Sequence, residues 1–273
     1  MELERSLVQI IAMVVLLISA IAGVVYLFRN VTGILGIIFH SITPLPQEER
    51  NVLKKGSAYY NALTAADRRK FEKRVKEVLF EKEWIGRGIK ITREVKVHIA
   101  ASLVQLTFGL EHLLLLHFQR FIIHPSAYRD RLTGRFHLGG VAPGAGTVSL
   151  SWEHFEAGYA DPADARNLGL HELAHAFWFE NTIPNQEDDL IPEELLKQWK
   201  SAAQAEIERI KSGNSRLFRD YAGTNQAEFF AVAVEYFFEQ PVQLKEKAPD
   251  LYDLMRRILK QDPANRIEVH AYA

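Results

Sequence analysis

Cysteine is absent from all 273 residues. A disulfide scaffold and every thiolate metal site are thereby excluded, so a metal in this chain must be held by His, Asp or Glu. A surplus of charge of either sign is absent too: 33 Lys and Arg face 34 Asp and Glu, for a formal net charge of −1. General nucleic-acid binding needs a basic surplus or a basic stripe to displace counterions, and no nucleic-acid partner is expected. Internal repeats and low-complexity tracts are also missing. Apolar residues, at 48%, are plentiful enough for a sizeable core.

The longest apolar run, LVQIIAMVVLLISAIAGVVYLF from Leu7 to Phe28, is 22 residues long. A helix needs about 20 apolar residues to cross a bilayer, so this run predicts one transmembrane helix. Ala20-Ile21-Ala22 resembles a signal-peptide cleavage site, but the run continues past it and the leading MELERS carries one Arg against two Glu. An uncleaved anchor is the better reading. Arg29, Arg50, Lys54 and Lys55 follow the helix and only Arg5 precedes it, which points the bulk of the chain toward the cytoplasm. VTGILGIIF, residues 31–39, is too short to span again. The expected division is a membrane anchor over residues 1–39, a linker over 40–50 with two prolines, and one domain over 51–273.

Within that domain Thr64 is an N-cap candidate for a helix with Phe71, Val75, Val78 and Leu79 at helical spacing, and Glu94 to Leu106 predicts another. LLLLHFQRFIIHP reads as a strand ended by Pro125, HLGGVAPGAG as a loop, and TVSLSW as a short strand at a sheet edge. Asp161-Pro162 offers an N-cap and a first-turn proline for the next helix. PEELLKQWKSAAQAEIERIKSG and NQAEFFAVAVEYFFEQP predict two more. The sum is an α+β fold, mainly helical with a small β-sheet.

The predicted third helix carries LGLHELAHAFWFEN. Residues four apart share one helix face, so His171 and His175 can offer two imidazole nitrogens to one ion. Glu172, one step around, stands where it can take a proton from a water that the metal has made acidic. Such a triplet arises by chance in about one in thirty chains of this length, so a third ligand must decide. Among the other histidines, His98, His112, His117, His124, His137 and His154 are scattered through unrelated contexts. The apolar helix NQAEFFAVAVEYFFEQ carries Glu228 and Glu235 seven apart, nearly on one face, and a buried carboxylate there must be paired or bound to metal. Either can be the ligand, with the other orienting a histidine.

LSWEHFEAG, NLGLHELAHAF, YAGTNQAEFFAVAVEYFFEQP and LYDLMRRILKQDP resemble the Mlc titration factor A family of zinc-dependent peptidases, over roughly residues 89–263. YAGTNQAEFF also resembles the peptidase domain of anthrax lethal factor. The resemblance implies a zincin-like metallopeptidase domain of the gluzincin kind, with Zn²⁺ held by His171, His175 and Glu228. It further implies Glu172 as general base and Tyr221 as hydrogen-bond donor to the oxyanion. The family's namesake binds and inactivates a transcriptional repressor, so the resemblance also implies a regulatory protein partner as an alternative to a peptide substrate.

Two departures from the family pattern stand out. Trp178 occupies a position where members often have an aspartate, leaving Glu180, Glu187 or Glu235 to brace a ligand. HLGGVAPGAG lacks an expected acidic residue after its first glycine. The membrane helix is a further difference from soluble members. The expectation is a single-pass peptidase of a bacterial-type inner membrane with its catalytic domain in the cytoplasm, and with extended substrate paired to the backbone of residues 148–151.

Overall fold

A computed structural model describes residues 43–110, 115–129, 134–182, 190–215 and 217–265. The chain divides into two units, Met1–Pro44 and Leu45–Ala273. The predicted spanning segment, residues 7–28, lies outside the described residues, among which no helix is long and apolar enough to cross a membrane.

In chain order the second unit begins with α1 (Gln47–Gly56), α2 (Ala58–Asn61) and α3 (Ala65–Glu81), followed by strand β1 (Glu83–Gly86) and α4 (Arg93–Thr107). Strands β2 (Arg120–His124), β3 (Tyr128–Arg129), β4 (Phe136–His137), β5 (Gly139–Ala142) and β6 (Thr147–Ser151) come next. The remainder is helical: α5 (Trp152–Ala160), α6 (Leu168–Glu180), α7 (Glu193–Lys211), α8 (Gln226–Glu239), α9 (Pro241–Lys247) and α10 (Pro249–Leu259). The expected α+β fold, mainly helical with a small sheet, is the observed one.

Helix α3 starts where its cap chemistry dictates, with the Thr64 hydroxyl accepting from the Asp67 N–H at 3.2 Å. Its Phe71, Val75 and Val78 are fully buried. Leu45 is buried, and Gln47 to Arg50, the last four residues of the anticipated linker, belong to α1; Leu45 and Leu53 have apolar partners to cover them.

The main sheet has the order β1-β2-β6-β5, with the first three strands parallel and β5 antiparallel to β6. Phe121 and Ile123 of β2 and Val148 and Leu150 of β6 are buried at alternate positions. The sheet corrects two expectations. HLGGVAPGAG is not all loop: Gly139 to Ala142 form β5, and Pro143 to Ala145 a 3-10 turn. The turn closes at Gly146, whose φ of +58° and whose approach to the His117 carbonyl, 2.5 Å from where a Cβ would stand, leave room only for glycine. TVSLS is therefore no edge strand, since β6 is paired with β2 on one side and β5 on the other. Pairing of a peptide with residues 148–151 is excluded, and the free edge nearby belongs to β5.

The helix carrying the HELAH motif also starts later than expected. After α5 ends, Asp161 and Asp164 close tight turns on the N–H groups of Ala163 and Arg166, and Ala165 adopts a positive φ of 55°. Asn167 then caps α6, its Oδ1 accepting from Leu170 N–H at 3.0 Å. Helices α6 and α8 pack together in the core, where Phe177, Trp178 and Trp199 surround Phe230 with ring centroids 5.2–5.8 Å away.

Candidate metal centre

Helix α6 is buried almost throughout, from Gly169 to Phe177. Leu170, Leu173, Ala174 and Phe177 fill the core, which rotates His171, Glu172 and His175 onto the remaining face. Helix α8 brings Glu228 opposite them from its first turn, where the helix dipole favours an anion. The Asn225 side chain caps that turn by accepting from the Glu228 N–H at 3.0 Å.

The ligand atoms converge. His171 Nε2 and His175 Nε2 are 3.2 Å apart, and Glu228 Oε2 lies 3.2 Å from the first and 3.3 Å from the second. Among the described residues, these three are the His, Cys, Asp or Glu group placed to hold a metal ion. Burial alone would lower the His171 pKa, but hydrogen bonds to Glu228 and Glu235 dominate and raise it to about 9. Burial would likewise raise the Glu228 carboxyl, yet both imidazoles hold it well below the usual carboxylate range. Two imidazoles and a carboxylate whose donor atoms converge form a nitrogen and oxygen set that a metal ion fits.

Glu235 supplies the brace. Its Oε1 accepts from His171 Nδ1 at 2.6 Å, which directs the Nε2 lone pair toward the centre. The same oxygen pairs with Arg219 Nη2 at 2.6 Å, and Oε2 accepts from the Asn167 N–H at 2.9 Å. Sequence reasoning named Glu235 but missed Arg219, a loop residue with no positional signal, and Asn167, hidden behind the more conspicuous Asp161-Pro162. Glu180 is elsewhere, accepting from the His117 N–H, and Glu187 lies outside the described residues. Trp178 packs on Phe230 and carries no polar partner to the site. His175 Nδ1 is buried without a hydrogen-bond partner, so the bracing is confined to His171.

Glu172 is buried beside the two imidazoles, and burial pushes its carboxyl pKa up against their opposing charge. Gly139 of β5 lies directly over it, since a Cβ there would stand 2.5 Å from Glu172 Cγ and Oε1. Tyr221 is 52% exposed, with its ring 6.0 Å from that of His171. Burial and the Glu228 carboxylate, its hydrogen-bond partner, push its hydroxyl up to about 12.

Among the described residues, the remaining histidines have other partners. His98 stacks on Tyr159, His124 on Tyr128, His117 bonds the Pro143 carbonyl, and His154 bonds Ser151 Oγ. His137 packs near Tyr128, and His112 lies outside the described residues.

A model of the glucose-regulated metallo-peptidase M90 family matches residues 39–260. The chain belongs to that family. An uncharacterized protein of Synechocystis sp. is 25% identical to this M90 member over 236 residues, 81% of this chain and 86% of its own length. Mlc titration factor A of Edwardsiella ictaluri is 29% identical over 167 residues, which cover 57% of this chain and 62% of that relative's length. The Pro-Pro endopeptidase of Paenibacillus alvei, at 17% identity, covers 66% of this chain and 98% of its own. Its TM-score of 0.38 is too low to establish a shared fold.

Proposed function

We propose that this M90 chain is a membrane-anchored zinc peptidase that hydrolyses peptide bonds in extended substrates. What carries this reading is the convergence of His171, His175 and Glu228 within 4.8 Å of one another, with the buried carboxylate of Glu172 alongside. A zinc ion held by those three residues would lower the pKa of water and polarise a substrate carbonyl.

The chain's own groups do the rest. Glu172 accepts the proton of the attacking water and returns it to the departing amine. Burial pushes its pKa up, against the pull of the two imidazoles, which makes the carboxylate a stronger base than an exposed one. Tyr221 O–H, kept protonated at neutral pH, donates to the oxygen on which negative charge develops. Glu235, pinned by Arg219 and Asn167, keeps His171 in the tautomer that presents Nε2.

Strand β5 is the docking edge in this reading. Its outer N–H and C=O groups are available to an added strand, and Gly139 sits over the general base. Gly139→Ala should therefore displace Glu172 and lower kcat about tenfold or more, while the metal content stays normal. Unchanged kcat in this variant would remove β5 from the site.

Anchoring rests on residues 7–28. Full-length protein should remain in the membrane pellet after carbonate extraction, with the catalytic unit protected from protease added outside the cell. Release of soluble protein beginning at Gly23 would establish cleavage and export instead.

The peptidase reading is tested by assaying detergent-solubilised full-length protein on extended peptides, with chelator and then with zinc restored. Cleavage should stop and return. Zinc retention with no hydrolysis of any peptide would favour the second reading, a binding module for a regulatory protein, which the name of the Mlc titration factor A relatives supports.

A further inference from the structure

Tyr221, the oxyanion donor proposed above, has little packing of its own to hold it in place. Its side chain is half exposed, and its hydroxyl is paired with Glu228, the carboxylate assigned to the metal. Where the phenol stands is therefore set by the backbone beneath it, the 3-10 turn Asp220–Gly223.

Apolar packing fixes one side of that turn. Phe218 is buried against Phe229 and Tyr236, with ring centroids 5.0 and 5.1 Å away. Gly223 lies against Ile210, whose Cγ2 is 2.8 Å from where a Cβ would stand. These contacts join the turn to α8 and α7, not to α6, which carries the imidazoles.

Arg219 makes the link to α6. Its carbonyl accepts from the Ala222 N–H at 3.0 Å and so opens the turn. Its guanidinium reaches the other way, where Nη1 donates to the Ala165 carbonyl and Nη2 donates to Glu235 Oε1 at 2.6 Å. Ala165 lies two residues before the Asn167 cap of α6, and the same Glu235 oxygen holds His171 Nδ1. A guanidinium is planar and donates along fixed directions, so two bonds set an orientation as well as a distance.

We propose that Arg219 is a positioning residue for Tyr221, setting the phenol's place relative to the imidazoles by tying its turn to Ala165 and Glu235. This task differs from the bracing of His171, which Glu235 performs and which any cation beside Glu235 supports. The proposal rests on the peptidase reading for what Tyr221 does, and there a displacement of about 1 Å can cost about 100-fold in rate.

Arg219→Lys, made in the full-length protein in detergent, separates the two tasks. Lysine keeps a cation for Glu235 but is a point charge without a fork. Zinc affinity should fall by less than about tenfold, whereas kcat at saturating zinc should fall by about tenfold or more with KM nearly unchanged. In a Tyr221→Phe background the same substitution should change kcat by less than about twofold, because the group it positions is gone. Labelling the nine tyrosines with 3-fluorotyrosine adds a readout independent of zinc and hydrolysis. The fluorine resonance missing from Tyr221→Phe belongs to Tyr221, and Arg219→Lys should shift or broaden it. Other resonances should stay in place, except that of Tyr236, which feels the Arg219 charge. An unmoved Tyr221 resonance, or the full loss of kcat persisting in the Tyr221→Phe background, would overturn the proposal. Absence of hydrolysis by the unmodified protein would overturn the peptidase reading instead, and the fluorine spectra would still decide what places Tyr221.

Discussion

Glu172→Gln should reduce peptide hydrolysis by about two orders of magnitude or more while zinc content stays at the level of the unmodified protein. The substitution preserves the size and shape of a side chain that is almost completely buried, so α6 keeps its packing. It removes the group that accepts a proton, because an amide oxygen is far too weak a base at neutral pH. The neighbouring imidazoles cannot take over, since their Nε2 atoms converge with Glu228 on the proposed ion and His171 Nδ1 is committed to Glu235. Folding and metal retention are measured beside activity, by thermal unfolding and metal analysis. A loss of activity with both intact isolates the chemical step. Undiminished cleavage would sink the hydrolytic mechanism, and undiminished capture of a protein partner by the inactive variant would support binding as a separate role.

The largest effect on metal is expected at the ligands. His175→Ala removes one of the three converging donors and should leave the protein without stoichiometric zinc after dialysis. Glu228→Gln should do nearly as much, because the carboxylate charge that draws a cation between the imidazoles is lost. Glu235→Gln touches the ion only through His171, so zinc affinity should fall by about 10–100-fold without being abolished. The same substitution strips Arg219 of its carboxylate partner, and thermal stability should drop along with affinity. If Glu228→Gln kept full zinc affinity while Glu235→Gln lost it, the assignment of ligand and brace would be reversed.

These two glutamates show how far a sequence reaches. Two histidines four apart on one helix can reach one point because of the helical repeat alone, and that repeat is local. The helices α3, α4, α7 and α8 were legible for the same reason, since apolar spacing and caps act within a few residues. Glu228 and Glu235, seven apart on a common face, are equivalent by that logic, and only the resemblance to a family chose between them. In three dimensions they part company: Glu228 approaches the Nε2 atoms from the first turn of α8, while Glu235, two turns on, reaches Nδ1 behind the ring with Arg219 on its other side.

Sheet order was beyond local reasoning as well. GGVA has no alternation of apolar and polar side chains to announce a strand, and it becomes β5 because the turn ending at Gly146 folds it back onto β6. The start of α6 was misplaced because Asp161-Pro162 is a strong local signal, whereas Asn167 wins through partners remote in sequence, its N–H on Glu235 and its side chain on Glu239. Thus the chain's sequence by itself determined the mainly helical α+β class and the two-histidine face with its glutamate. Tertiary structure decided which carboxylate reaches the imidazoles, which strand is left open, and what braces His171, because those depend on contacts between residues dozens of positions apart.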